Sequence, residues 1–260
     1  SVNGTASTVG VQLAEAFKCS INFVNNNQGV IRNITLLYSI QNSDLNQNDA
    51  FNQALLLERR GVFAVVGPQS DVQVVPVANL YNTANTPLVS YGAGSFNLGN
   101  STIYPTFLRV WPPDTFQARA MAETFRLLGW TFIAALFTND EYGQSGRQAF
   151  FQATSRQRIR VTCANSIFPN STQGLQSFSD CFATSDATVA VLWMGPNSAA
   201  AVISTMYTNP VNNKTTFVAS NEWAIITNMT RFIDLGRRVT GLTFPEEYLE
   251  GRRLFLYCHE

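Results

Sequence analysis

The chain has 260 residues, 45% of them apolar and only 13% charged, with 17 Lys+Arg balanced by 17 Asp+Glu. This composition suits buried sheets and disfavours disorder, and the absence of net charge gives no field to draw in nucleic acid or an anionic membrane surface. The length allows one large domain or two lobes of ordinary size. There is no apolar run of the ~20 residues a membrane helix needs. The polar start SVNGTASTVG lacks a secretory signal, so any export or tethering segment is expected to lie outside this sequence.

In chain order the pattern alternates. Residues 9–25 carry Val11, Leu13, Ala16, Phe17, Ile21 and Val24 at helical spacing. A strand is expected over 34–40, a helix over 49–60, a buried strand over 62–66, a helix over 71–81 and a strand over 87–91. An extended run over 106–111 then meets Pro112 and Pro113, which cannot continue a paired strand. Asp114 with Gln117 three residues on has capping-box spacing. Ala118, Met121, Ala122, Phe125 and Leu128 continue as a helix that Gly129 closes. A buried parallel strand is expected over 131–137. Asp140-Glu141-Tyr142-Gly143 follows at its carboxyl end, where open α/β sheets place ligands. Beyond it, helices are expected over 143–154, 175–183 and 197–208, and strands over 158–167, 188–194 and 216–220. Strands separated by helical patterns mean βαβ units and a mainly parallel sheet covered on both faces.

One order occurs twice. VFAVVGPQS, a helix, Asn85-Thr86-Pro87 and LVSY are echoed by VAVLWMGPNS, a helix, Asn209-Pro210 and TFVASNEW. Each GPxS is expected to put Ser70 or Ser198 at a helix N-cap, with free amides facing a cleft. A plain turn and cap explains either copy equally well. Gly92-Ala93-Gly94…Gly99 misses dinucleotide spacing, and His259, the single histidine, lies at the extreme end.

Cys163 and Cys181 flank one short connection and are disulfide candidates, leaving Cys19 and Cys258 over. No Cys/His pair has zinc spacing, so no metal or cofactor is expected. Asn3, Asn33, Asn100, Asn170, Asn213 and Asn228 stand in glycosylation sequons.

The segments VVGPQS…VPVANLYNTANTPLVSYGAGS (65–95), YPTFLRVWPPDTFQARAMAETFRLLGW (104–130), NDEYGQSGRQAF (139–150) and ASNEWA (219–224) resemble, in order and spacing, the ligand-binding ectodomain of class C G-protein-coupled receptors (the metabotropic glutamate, GABA and calcium-sensing group). That module belongs to the type I periplasmic-binding-protein family. The resemblance implies an α/β fold of two doubly wound parallel-sheet lobes in a hinged clamshell. The lobes are expected over 1–111 and 112–244, with 245–260 a return segment or unrelated tail. The family's opening strand and its return to the first lobe are not matched, so a fragment incomplete at both ends is expected.

The family's pocket carries over position by position. The two residues that hold a ligand carboxylate match Asp71 and Gly94, with Ser70 and Ser95 beside them. An Asp at the first site repels a carboxylate, although amides around 92–95 remain. The acid for the ligand amine matches Asp114 and the aromatic facing it matches Tyr142. The second-lobe acid falls on Asn221, with Glu222 adjacent. Asp114 as a mere N-cap, Tyr142 as packing and Trp223 as core are the structural alternatives. The resemblance implies a sensor of a small ligand, amino-acid-like or amine, that closes on it to signal from the extracellular face of the plasma membrane. A dimer through lobe 1, membrane contact only through segments outside this sequence, and no nucleic acid are expected. The alternatives are a soluble solute-binding protein feeding a transporter, or a receptor-cyclase ectodomain. No enzyme is expected, for want of a nucleophile–base pair, metal cluster or phosphate loop.

Overall fold

Alternation of apolar strands with amphipathic helices produces two parallel sheets. The computed structural model describes residues 8–27, 29–44, 46–206, 215–222 and 239–241. The first part contains α1 (Thr8–Asn26), α2 (Gln47–Arg59), β1 (Val65–Val66), α3 (Asp71–Ala84), β2 (Leu88–Ser90) and β3 (Phe107–Arg109). The second contains α4 (Asp114–Leu127), β4 (Phe132–Thr138), α5 (Glu141–Arg156), β5 (Arg160–Ile167), α6 (Leu175–Thr184), β6 (Val189–Trp193), α7 (Pro196–Met206), β7 (Thr216–Ala219) and β8 (Val239–Gly241). The first sheet has three strands, β1-β2-β3, and the second five, β5-β4-β6-β7-β8. Every described pairing is parallel.

The period of two along β4 builds both faces of the second sheet. Ile133, Ala135 and Phe137 point to a core shared with α4 and α5 (Met121, Phe125, Phe150), whereas Ala134 and Leu136 point to one shared with α6 and α7 (Phe178, Val202, Ile203). β6 divides the same way, Val191 and Trp193 against Ala190 and Leu192. A strand apolar on both sides needs helices on both sides, which is the doubly wound arrangement. The first sheet has a smaller core of Val74, Val77, Tyr81 and Leu88, joined by Ala50 and Ala54 of α2. Burying Tyr81 requires a partner for its hydroxyl, which donates to the Ala54 carbonyl at 2.9 Å.

The connections identify a crevice. The chain leaves β4 for β5 on one side, and leaves β6 for β7 on the other, although β4 and β6 are neighbours. Strand order therefore reverses at the carboxyl ends of β4 and β6, which residues 139–141 and 194–195 follow, the place where such sheets hold ligands. Gly129 ends α4 with φ 70°, and Trp130 N–H reaches back to the Phe125 carbonyl at 2.8 Å. Cys163 of β5 and Cys181 of α6 form a disulfide with Cα atoms 6.0 Å apart. Cys19 is disulfide-bonded as well rather than left over.

Three local expectations are corrected. The run 34–40 is not a strand, and Ile34 and Leu37 are 61% and 89% exposed. Alternating apolar residues need a neighbouring strand, and among the described residues β1 pairs only with β2. The segment is held instead by the Asn25 side chain, bonded both ways to the Leu36 backbone at 2.8 and 3.0 Å, and by a Phe17–Tyr38 edge contact. Ser198 is not an N-cap: α7 begins at Pro196, and the Ser198 hydroxyl accepts the Asn170 N–H at 2.9 Å. The capping box at Asp114 and Gln117 does not form either. Pro113 is the cap residue, Asp114 is the first residue of α4, and both amide atoms of buried Gln117 lack a partner among the described residues.

Candidate functional site

The loop leaving β2 carries Gly92, Ala93, Gly94 and Ser95 onto the N-termini of α4 and α5, joining the two sheets. Asp114 N–H donates to the Gly94 carbonyl at 2.8 Å. Phe96 N–H donates to Ser145 Oγ at 2.6 Å, and that hydroxyl donates onward to Asp114 Oδ2 at 2.7 Å. Ser95 Oγ donates to Glu141 Oε1 at 2.9 Å, and Ser95 N–H donates to Asp71 Oδ1 at 2.7 Å. Arg109 of β3 donates to the Ser95 carbonyl at 2.9 Å. The loop is thus tied to both sheets.

On the far side, Tyr142 is buried and its hydroxyl donates to Asn221 Oδ1 at 2.8 Å, linking α5 to the residues after β7. Its ring lies 6.2 Å from that of Trp193 at the end of β6. Asp140 caps α5 through the Gly143 N–H at 2.9 Å. This makes Asp140 the helix-capping acid and leaves Glu141 to face the seam.

Close approach fixes several small residues. A methyl group on Gly94 would collide with Asp114 Oδ1, one on Gly143 with the Thr138 carbonyl, and one on Gly146 with the Trp193 indole. A hydroxyl residue at 94 would displace Asp114.

The electrostatics are one-sided. Asp71 is pushed up to about 8, first by burial and then by Asp114, Glu222 and Glu141, against the Ser95 amide that favours its charged form. Burial raises Asp114 to about 6, opposed by the Ser145 hydrogen bond and Arg109. Glu222 is raised to about 7 by burial, then Asp140 and Asp114. Burial also pushes the Tyr142 hydroxyl up and the Arg109 guanidinium down. Among the described residues no group of three or more His, Cys, Asp or Glu is arranged to hold a metal ion.

Seven of the eight sequence-selected pocket residues therefore meet in one network of contacts and charges: Asp71, Gly94, Ser95, Asp114, Tyr142, Asn221 and Glu222. Ser70 stands apart, half-buried, at the N-cap of α3 with no side-chain cap bond. Asp114 is no mere cap, since its carboxylate accepts from Ser145 across the α4–α5 contact. Sequence reading missed Ser145 and Arg109, and placed Glu141 only in the turn after the strand without a role of its own. The signal for Ser145 was its place one helical turn after Tyr142. Asn33, Asn100 and Asn170 are exposed, whereas Asn3, Asn213, Asn228 and Trp223 lie outside the described residues.

Comparison with known proteins places this geometry. The chain is 26% identical over 268 residues to human Taste receptor type 1 member 1, covering 95% of this chain and 32% of the receptor. The mouse protein of that name is 26% identical over 240 residues, covering 85% and 28%. Rat Metabotropic glutamate receptor 6 is 41% identical over 106 residues, covering 41% of this chain and 12% of the receptor. The chain thus spans at most about a third of these relatives' length. The profile described as the receptor family ligand binding region matches residues 12–250, nearly the whole sequence. A match of that extent, on two parallel sheets joined at a cleft, makes this chain a member of the receptor family ligand-binding region.

Proposed function

We propose that the chain senses a small extracellular ligand held between two lobes, as the ligand-binding module of a class C-like G-protein-coupled receptor. The single observation that carries this reading is the seam itself. A loop of the first sheet (94–96) meets the N-termini of α4 and α5 through three hydrogen bonds, and a fourth joins the two helices, at the switch point of the second sheet. A ligand that bridges the same elements favours the closed arrangement by its differential affinity for it, and that population shift is the signal. Asp114 and Tyr142 are the amine anchors, with Asn221 and Glu222 beside Tyr142, and the ligand is amino-acid-like or an amine.

The Cys163–Cys181 disulfide and three exposed sequon asparagines support an oxidising, extracellular setting. Among the described residues no helix is long and apolar enough to cross a membrane, so tethering would come from elsewhere in a longer protein. The relatives' names, both receptors, support sensing over catalysis. A dimer through the first lobe belongs to the same reading.

The reading is tested by a thermal-shift screen of amino acids and amines on the complete ectodomain. A true ligand at 100 times its Kd raises stability by about 2.7 kcal/mol. Asp114→Asn and Tyr142→Ala are expected to abolish the shift for every hit. Hits whose shifts survive both substitutions would place the ligand elsewhere.

A further inference from the structure

We propose that the cleft selects a small organic cation without a carboxylate, a protonated amine, and rejects the α-amino acid that differs from it only by that carboxylate. This deepens the reading of the cleft as the ligand site and rests on it. The argument begins with charge. Among the described residues, the groups facing the seam are Asp71 of α3, Asp114 of α4, Asp140 and Glu141 at the start of α5, Glu222 after β7, the neutral Tyr142, and one cation, Arg109 of β3. Arg109 is already engaged, donating to the Ser95 carbonyl.

Four backbone donors at the loop and at the helix N-termini are engaged within the protein. Ser95 N–H holds the Asp71 carboxyl, Phe96 N–H is on Ser145, Asp114 N–H is on the Gly94 carbonyl, and Gly143 N–H is on Asp140. The Ser95 hydroxyl points its proton at Glu141. Position 94 has no room for a hydroxyl side chain, because Asp114 Oδ1 fills that space. Asp71 therefore occupies a backbone amide with its own carboxyl group, where a ligand carboxylate would otherwise bond. The carboxyl oxygens of the seam lie near the buried rings of Tyr142 and Trp193, whose faces suit an ammonium group, and the Trp193 indole N–H is a neutral donor there that has no partner among the described residues.

The carboxyls crowded here are held above their ordinary range by burial and by one another. A bound cation relieves that repulsion and displaces protons, so its affinity is coupled to pH.

The test uses matched pairs on the complete ectodomain: phenethylamine with phenylalanine, tyramine with tyrosine, agmatine with arginine. Each is titrated by calorimetry and thermal shift at about pH 7.4, in wild type and in the isosteric Asp71→Asn variant. The amine of at least one pair is expected to bind roughly 100-fold more tightly than its amino acid, the size of one like-charge contact in a partly buried site. Its affinity is expected to rise between about pH 6 and 8, by up to about tenfold per pH unit for each proton displaced. Asp71→Asn is expected to narrow the gap within the pair. An amino acid that binds as tightly as its amine, or an amine affinity flat with pH, overturns the charge selection and leaves the cleft reading standing. Failure of every amine and every amino acid to bind overturns both.

Discussion

Asp114 shows how one residue serves fold and site together. Its backbone N–H is fixed by Gly94 and its carboxylate by Ser145, so its side chain is placed by two elements and buried to 2% exposure. Asp114→Asn keeps that shape and removes the charge, and calorimetry on any hit is expected to show affinity falling by about 100-fold, within the cost of breaking a charge-assisted contact. Gly94→Ser puts side-chain atoms into the space of Asp114 Oδ1. The expected cost is about 1–3 kcal/mol from overpacking, read as a lower Tm, and ligand binding is lost with it. The acids also set a pH dependence. Asp71, Glu222 and Asp114 hold their protons more tightly folded than unfolded, so their contribution to stability is full below the ordinary carboxyl range and is lost as pH rises through about 6, 7 and 8. Thermal melts of unliganded protein at about pH 5.5 and 8.5 are expected to differ less in Asp71→Asn than in wild type, and an unchanged difference would refute the assignment.

Elements account for how much could be read in advance. The unit β4–α5–β5 was legible because each signal agrees with the next. An uninterrupted apolar strand, a capping Asp140, a helix whose Ala149, Phe150 and Ala153 face the sheet, and a second strand reach the same answer locally. The 34–40 run was misread because alternation promises a strand only where a neighbour offers its edge, a fact no local pattern contains. Ser198 was misread because repeat symmetry with Ser70 stood in for geometry, while α7 starts three residues earlier than that symmetry required. At the site, residues with recognisable partners by motif position came together. Ser145 and Arg109 did not declare themselves, because their roles depend on a loop brought from the other sheet. The disulfide staples β5 to α6 across 18 residues. Its removal by paired Cys163→Ala and Cys181→Ala is expected to cost about 3 kcal/mol by the loop-entropy account, measured by urea denaturation. A loss below about 0.5 kcal/mol would show that the strand and helix hold each other without it.

At the scale of the whole molecule, the two sheets meet through a short list of polar contacts. Polar seams of this kind separate at lower cost than an apolar core, and local opening is the natural source of a ligand response. Each sheet has its own apolar core, and Phe96 of the seam loop packs against that of the second sheet, so separation of the seam removes this one ring and leaves the rest of both cores in place. The central claim is that a ligand is held where the 91–96 loop faces the start of α5. Hydrogen exchange on the complete ectodomain, with and without a saturating amine, tests it most directly. The account predicts that protection rises together at 91–96, 112–117 and 139–146, and little elsewhere. Protection that appears on only one sheet, or away from all three segments, would contradict it.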